Sequence, residues 1–478
     1  MSYTISSSLN KNRAFILQKS ELEKRLDPFF YVPEIVELER KVLAKQPKKL
    51  RDYVIKVSSG ATPKKEEEEK YYADKENGIP FLRVQNLSPT GVLEFEDCKY
   101  INEETHNGML KRSQVSAGDL LVKITGVGRM AVASVVPDNF IGNINQHVCV
   151  IKTGSKEISE TLAAFLNSDI GEKLASRRSG GGTRPSLDYP ALLSIPIIED
   201  KRILQIVKIV TEQKQQNEAA AEKLLASIDD YLLKELGINL PIQPENTLKS
   251  RVFTTSISEL SGCRFDPFFY QQYFKKIFTS IDKSNYKTYP LRKAISSFIK
   301  GIEVGSSEYL TEGIPFVRVA DITDFSINTN NTYKKISLEK YDELKENYKP
   351  QIGEILYSKD GTIGLCTVVE KYEDYILSSG ILRIVCHTQV DNYYLKYLLS
   401  SNLYKELANR VSIGTVIKHL TIEDWLNIPI PIPPLSKQQE IATNITAIRQ
   451  QAQQLKEQTT LTLAKANKEI EEILLGKI

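Results

Sequence analysis

The chain is poor in the side chains on which most catalysis draws. Its 478 residues include only four histidines, His106, His147, His387 and His419, each isolated in sequence. None stands at a metal-ligand spacing or beside an evident proton-transfer partner, so metal ligation and general-base chemistry have little support. The five cysteines, Cys98, Cys149, Cys263, Cys366 and Cys386, are odd in number, scattered, and never form a Cys-x-x-Cys pair. That usage fits a reducing compartment and argues against a disulfide frame or a zinc site. No apolar run approaches the roughly 18 residues needed to cross a bilayer, and Met1–Ser20 lacks an apolar core followed by a small-residue cleavage site. The expected location is the cytoplasm, with no membrane partner. A net charge of +3 neither demands nor forbids a nucleic-acid partner. Evidence for one must come from where the charges sit.

What the chain does have is repetition. Gly78-Ile79-Pro80-Phe81-Leu82-Arg83-Val84 returns as Gly313-Ile314-Pro315-Phe316-Val317-Arg318-Val319, 235 residues on (313 − 78). Arg25-Leu26-Asp27-Pro28-Phe29-Phe30-Tyr31 matches Arg264-Phe265-Asp266-Pro267-Phe268-Phe269-Tyr270 at a shift of 239 (264 − 25). Gly118-Asp119-Leu120-Leu121, with Gly126 and Gly128, matches Gly353-Glu354-Ile355-Leu356, with Gly361 and Gly364. Leu187 with Ile195-Pro196-Ile197 matches Leu420 with Ile428-Pro429-Ile430. So long a period means a duplicated domain rather than a solenoid, and the length suits two or three domains.

Within the first half, Tyr53–Val57, Phe81–Val84, Leu120–Ile124, Val132–Val136 and Val148–Ile151 read as strands, and Ser159–Arg177 as a helix. Lys64–Lys70 reads as a charged, solvated loop. Lys201 to about Leu236 contains no Gly or Pro and carries apolar residues at helical spacing, which predicts one long helix ended by Gly237. A second is predicted from about Ser436, a candidate N-cap, to Leu475. Neither is apolar enough to stand alone. Each has a glutamine-rich middle: Gln213, Gln215 and Gln216, then Gln450, Gln451, Gln453 and Gln454. If the helices pack on one another, some of these form a buried polar layer that sets register; otherwise they face water.

Two globular units spaced by two rods make a caliper, and duplex DNA is a partner with its own length scale. The Arg-x-Asp-Pro-Phe-Phe-Tyr openings, the Gly-Ile-Pro-Phe-x-Arg-Val strands, the glycine turns and the Ile-Pro-Ile exits together resemble the DNA-specificity subunit of type I restriction-modification systems. The resemblance runs from about Arg25 to the end, in the same order in both halves. It implies an α+β fold in which two similar target recognition domains are separated by two long antiparallel helices, a coiled-coil spacer with a pseudo-twofold internal repeat. The expected limits are a tail over 1–24, recognition domains over 25–200 and 264–434, spacer helices over 201–237 and 435–478, and a linker over 238–263. It further implies a chain that is not itself catalytic. Such a chain reads a bipartite asymmetric site in double-stranded DNA and docks two methyltransferase subunits and endonuclease/translocase subunits. S-adenosylmethionine, ATP and magnesium would belong to those partners. A self-sufficient DNA adenine methyltransferase and a coiled-coil assembly scaffold are the competing readings.

The candidate DNA contacts lie in two sets of loops. Gly180–Ser186 carries Thr183 and Arg184, and its counterpart carries Thr415 and Lys418. Glycines there let backbone N–H groups approach phosphate, and arginine suits a bidentate guanine contact; the alternative is a solvated hinge. The turns after the Gly-Asp/Glu strands carry Lys123, Thr125 and Arg129, then Lys359 and Thr362. They lack the terminal Gly-Lys-Ser/Thr of a nucleotide loop, so they present these residues to DNA or are plain turns. Arg177 and Arg178 end a helix, where the dipole favours cations as readily as a phosphate would. Arg83 and Arg318, identical in both halves, suit a structural or phosphate role. Asp27-Pro28-Phe29-Phe30 and Asp266-Pro267-Phe268-Phe269 resemble an amino-methyltransferase motif but lack its second proline, and read as domain-entry packing. Trp425 is expected under the adjoining Ile-Pro strand. For the spacer helices the expected docking and packing residues are Gln213, Gln216, Leu224 and Ile228, with Ile445, Ile448, Gln451 and Leu455.

Overall fold

The computed structural model describes residues 9–23, 25–64, 68–95, 97–245, 247, 252–257, 260, 264–324, 326–329, 332, 334–414 and 417–478. It divides into two compact units, Met1–Glu218 with Lys456–Ile478, and Ala219–Leu455.

In the first unit a four-stranded antiparallel sheet runs in the order Lys56–Ser59, Val148–Lys152, Leu120–Lys123, Ala133–Val135. The period-two geometry of a strand decides what each face buries. Leu120, Val122, Cys149 and Ile151 face Leu162, Phe165 and Leu166 of the helix Lys156–Asn167. Leu121, Val148 and Val150 face the other way, toward Leu82 and Ile144 of a second sheet. That sheet has the order Tyr72–Ala73, Lys99–Ile101, Ile79–Leu82, Ile141–Ile144, Gln114–Ser116, with one parallel pair in its middle. A sheet covered on both faces explains why Leu120–Val122 is apolar without alternation.

The second unit has the same order of strands. Ile295–Lys300, Ile381–Cys386, Ile355–Ser358 and Cys366–Val368 form its four-stranded sheet. Lys335–Ile336, Ile314–Val317 and Ile376–Leu377 form its second sheet, again with a parallel pair. Ile355, Tyr357, Leu382 and Ile384 join the larger core, while Leu356 and Ile381 join Val317 and Leu377. Trp425 is 1% exposed, stacked on Tyr357 at 4.7 Å, and belongs to the same core as Ile428 and Ile430 of the Ile-Pro segment.

Several expected elements differ in extent. The strand expected at Tyr53–Val57 begins later, at Lys56, because Leu50–Tyr53 closes into a 3-10 turn whose N-terminal amide is held by Asp52. Residues 65–67 of the expected charged loop lie outside the described residues, and Glu68–Tyr71 forms a single helical turn. The helix expected over Ser159–Arg177 is two helices, Lys156–Asn167 and Asp169–Arg178. Ser168 between them is extended, and its Oγ accepts from Gly171 N, a serine N-cap. A Cβ at Gly171 would stand 2.1 Å from Phe165 O, so glycine permits the close corner. Ser401 makes the same break between Asn392–Ser400 and Asn402–Arg410.

The Asp-Pro-Phe-Phe segments are indeed entry packing. Asp27 caps the turn Pro28–Tyr31, and Phe30 and Tyr31 are buried. Arg25 reaches from this turn to the carbonyls of Arg178 and Ser179, so a guanidinium satisfies the open end of the helix Asp169–Arg178. Arg264 does the same for Arg410 and Ser412.

The helix Lys201–Leu236 is 36 residues, roughly 54 Å at 1.5 Å per residue. Gly237, at φ +69, ends it, with Ile238 N donating to Leu233 O, the Schellman arrangement. The last helix, Leu435–Leu475, begins one residue before the expected cap, so Ser436 lies inside its first turn. In the first unit Ile203 packs with Ile470, Ile473 and Leu474, and Asn217 donates to Thr459 Oγ1 at 3.1 Å. In the second unit Ile228, Leu232 and Leu236 pack with Ile441 and Ile445, and Asn444 donates to the Tyr231 hydroxyl at 2.7 Å.

Candidate nucleic-acid interface

Each unit brings its two glycine-containing loops together. In the first, Gly126 N donates to Pro185 O at 3.0 Å and Leu187 N to Ile124 O at 2.8 Å, so Thr125 lies opposite Ser186. Gly180 and Ser186 exchange backbone hydrogen bonds at 2.8 and 2.7 Å, closing residues 180–186 into a hairpin. Gly181 turns it at φ +97, a left-handed conformation that favours glycine. In the second unit Gly361 N donates to Lys418 O and Leu420 N to Lys359 O, both at 2.8 Å, and Asp360 lies opposite His419. Ile413 pairs with His419, and Gly414 turns the hairpin at φ +101.

The hydrogen bonds correct one sequence alignment. Because Pro185 and Lys418 accept from equivalent glycines, Lys418 stands where Pro185 stands, and Ile417 where Arg184 stands. Arg184 and Lys418 are therefore not counterparts. Neighbouring residues of a hairpin point to opposite sides, so the two cations leave their loops in different directions. Arg184 is exposed and lies 3.3 Å from His147 Nε2. Burial, and then the Arg184 charge, lower the His147 pKa. Lys418 is exposed with Nζ 3.0 Å from Asn409 Oδ1. Thr183 and Thr362 are exposed. Thr415 lies outside the described residues.

Most of the other expected DNA contacts are engaged within the fold. Lys123 is 4% exposed, its Nζ bound to Val127 O at 2.7 Å, and burial lowers its pKa. Arg129 ties its turn to Asp169 at 2.7 Å and to Asn167 O at 2.5 Å. Arg177 is buried, lies 4.0 Å over the Phe30 ring, donates to Phe30 O and pairs with Glu39. Arg178 pairs with the same carboxylate and donates to Ser194 Oγ and Leu174 O. Lys359 pairs with Asp360. Turning any of these side chains out to a phosphate would cost the contacts it already makes within the fold. Arg83 is half-buried and donates to Asp97 O at 2.5 Å at the surface.

What remains at each paired-loop surface is a glycine-turned hairpin beside a second turn, with unlike side chains on like backbones. Residues 305–465, which include the second of these surfaces, match the family model of the type I restriction modification DNA specificity domain. The relatives it matches are type I restriction enzyme specificity subunits. It is 21% identical over 429 residues to the EcoBI specificity subunit of Escherichia coli, covering 88% of this chain and 83% of that one. To the EcoDI specificity subunit of the same organism it is 28% identical over 122 residues, 26% of this chain and 27% of the relative's length. Among solved structures it is similar to the HsdS subunit of Thermoanaerobacter tengcongensis, with 18% identity, 90% and 95% of the chains covered, and a TM-score of 0.34.

Two features of the chain were not legible in its sequence. The first is the polar layer of the long helices. Gln213, Gln215, Gln216, Gln450, Gln451, Gln453 and Gln454 are all exposed. The polar pair buried between the helices is instead Asn217, at 8% exposure, and Thr459, at 7%, with Gln213 donating to Asn217 from the rim. The buried stripe passes through Ala221, Ile228, Ile445 and Ala452, which leaves Gln213 at its rim and Gln451 exposed. Leu224, Ile448 and Leu455 are half-buried. The second feature is the set His147, Asp360 and His419, isolated in sequence yet placed at the paired loops. Their only signal was position: Asp360 precedes Gly361, and His419 precedes the repeated Leu420.

Proposed function

We propose that the chain is a non-catalytic, cytoplasmic DNA-recognition subunit that reads a bipartite asymmetric site in double-stranded DNA. Residues 25–200 and 264–434 are its recognition domains, and the helices over 201–237 and 435–478 are an antiparallel coiled-coil spacer, with 238–263 as linker. The observation that carries this reading is the recurrence, in each unit, of the same paired-loop backbone set with different exposed side chains. Like backbones explain a common task, and unlike side chains explain two different DNA words. Two methyltransferase subunits dock on the spacer, through faces that include Gln213, Gln216, Gln451 and Leu455, and endonuclease/translocase subunits complete the assembly. S-adenosylmethionine, ATP and magnesium act on those partners, which flip the target adenine from the stack. Mapping methylated adenines in cells carrying this chain and its methyltransferase tests the reading. A two-part motif with an unread gap is expected. Removing one turn, about four residues, from a spacer helix should change that gap or abolish methylation. A motif that lacks two parts, or a gap indifferent to the deletion, refutes it.

A further inference from the structure

The second unit's paired loops hold a couple that the first unit lacks. His419 Nδ1 lies 2.9 Å from Asp360 Oδ1, while Lys359 Nζ pairs with the other oxygen of the same carboxylate. The Asp360 side chain is 22% exposed and that of His419 is 56% exposed, so the carboxylate is tucked under an outward-facing ring. The backbone bonds place Asp360 where the first unit has Thr125, and His419 where it has Ser186. Nothing in the frame requires the pair, since the first unit makes the same backbone pairing with Thr125 and Ser186 at these positions. A carboxylate that accepts from Nδ1–H fixes the tautomer of the neutral imidazole. Its Nε2 is then an acceptor, aimed away from Asp360, and it carries no hydrogen bond among the described residues.

We propose that His419 is a specificity-determining residue of the second recognition domain, with Asp360 as its positioning residue, and that it reads an exocyclic amino group in the major groove. The groups of that class are adenine N6 and cytosine N4, the donors on those base edges. At these positions the first unit carries the hydroxyls of Thr125 and Ser186, which donate as readily as they accept; its exposed Arg184 is a donor, suited to guanine O6 and N7. The two domains thus present different hydrogen-bonding groups from one backbone design. This inference rests on the DNA-recognition reading above.

The test is the methylation motif of the complete assembly carrying His419→Ala, Asp360→Asn or, in the first unit, Ser186→Ala. With His419→Ala, a single position in one half of the motif should lose about tenfold or more of its discrimination, the roughly 1–3 kcal/mol that a good base-edge contact supplies. Asp360→Asn should relax the same position without touching the other half. Ser186→Ala should leave that half unchanged. As a second measurement, a duplex bearing the mapped site with purine in place of adenine, or 2-pyrimidinone in place of cytosine, at that position should bind the unaltered assembly more weakly. The His419→Ala assembly should not distinguish it from the natural site. Relaxation in both halves, relaxation at no position, or a uniform fall in methylation at an unchanged motif would overturn the assignment. If the unaltered assembly shows no two-part motif, the parent reading has failed, an outcome distinct from these.

Discussion

Glu39 offers the clearest way to separate brace from DNA contact. Its carboxylate is the shared partner of Arg177 and Arg178, and the three side chains are 8%, 10% and 11% exposed. Glu39→Ala leaves two buried guanidinium groups facing one another without their counter-charge. Breaking a buried pair by removing one member costs about 3–5 kcal/mol. Both arginines keep carbonyl or hydroxyl acceptors in Phe30, Leu174 and Ser194, which favours the lower end, about 3 kcal/mol. For a unit of this size each kcal/mol moves the melting temperature by about 2–4 °C. Calorimetry of the full chain should therefore show one transition falling by about 6–12 °C and the other staying in place. DNA affinity measured against salt supplies the counter-test, because each lost phosphate contact lowers the slope of log affinity against log salt by about 0.9. Arg177→Met, assayed below its melting temperature, should keep the slope. Arg184→Ala should reduce it if that exposed side chain meets phosphate, or leave it unchanged while relaxing one base if it meets a base edge. An unaltered melting profile for Glu39→Ala, together with a slope reduced by Arg177→Met, would show that the argument from burial is wrong.

Gly171→Ala should destabilise the first unit, because its Cβ would sit 2.1 Å from Phe165 O and 2.8 Å from Leu166 Cα, both backbone atoms. A urea midpoint equal to that of the unaltered chain would refute the close-corner account. Lys396 is 5% exposed, and burial, reinforced by Arg449, lowers its pKa to about 7. The folded value lies below the unfolded one, so between about pH 7 and the ordinary lysine value near 10.4 the unfolded state binds more protons. Stability of the second unit should therefore rise with pH across that window, and Lys396→Met should remove the rise. Urea titrations at pH 7 and 9.5 check this; equal pH dependence in the two proteins would count against it.

Much of the molecule was legible without coordinates, for physical reasons that act locally. Strands such as Leu120–Lys123 and helices such as Lys201–Leu236 declare themselves because apolar spacing and the absence or presence of Gly and Pro act within a few residues. Duplication was legible because the repeated phrases serve the same packing task in each unit. Charge, by contrast, carries no label of its destination. Arg177, Arg178, Arg129 and Lys123 look in sequence like Arg184, and only Glu39, Asp169 and Val127 O, brought near by folding, turn them into braces. The polar layer of the helices shows the same divide. Glutamines announced a polar middle, but the side-chain angle around each helix decided that Asn217 and Thr459, not the glutamines, face inward. The Asp360–His419 couple spans 59 residues of sequence and exists because a hairpin closes against a turn. The linear chain thus determined which elements form and that they form twice. Tertiary structure alone decided which polar atoms meet, because an ion pair is a property of distance in space and no local rule of sequence encodes it.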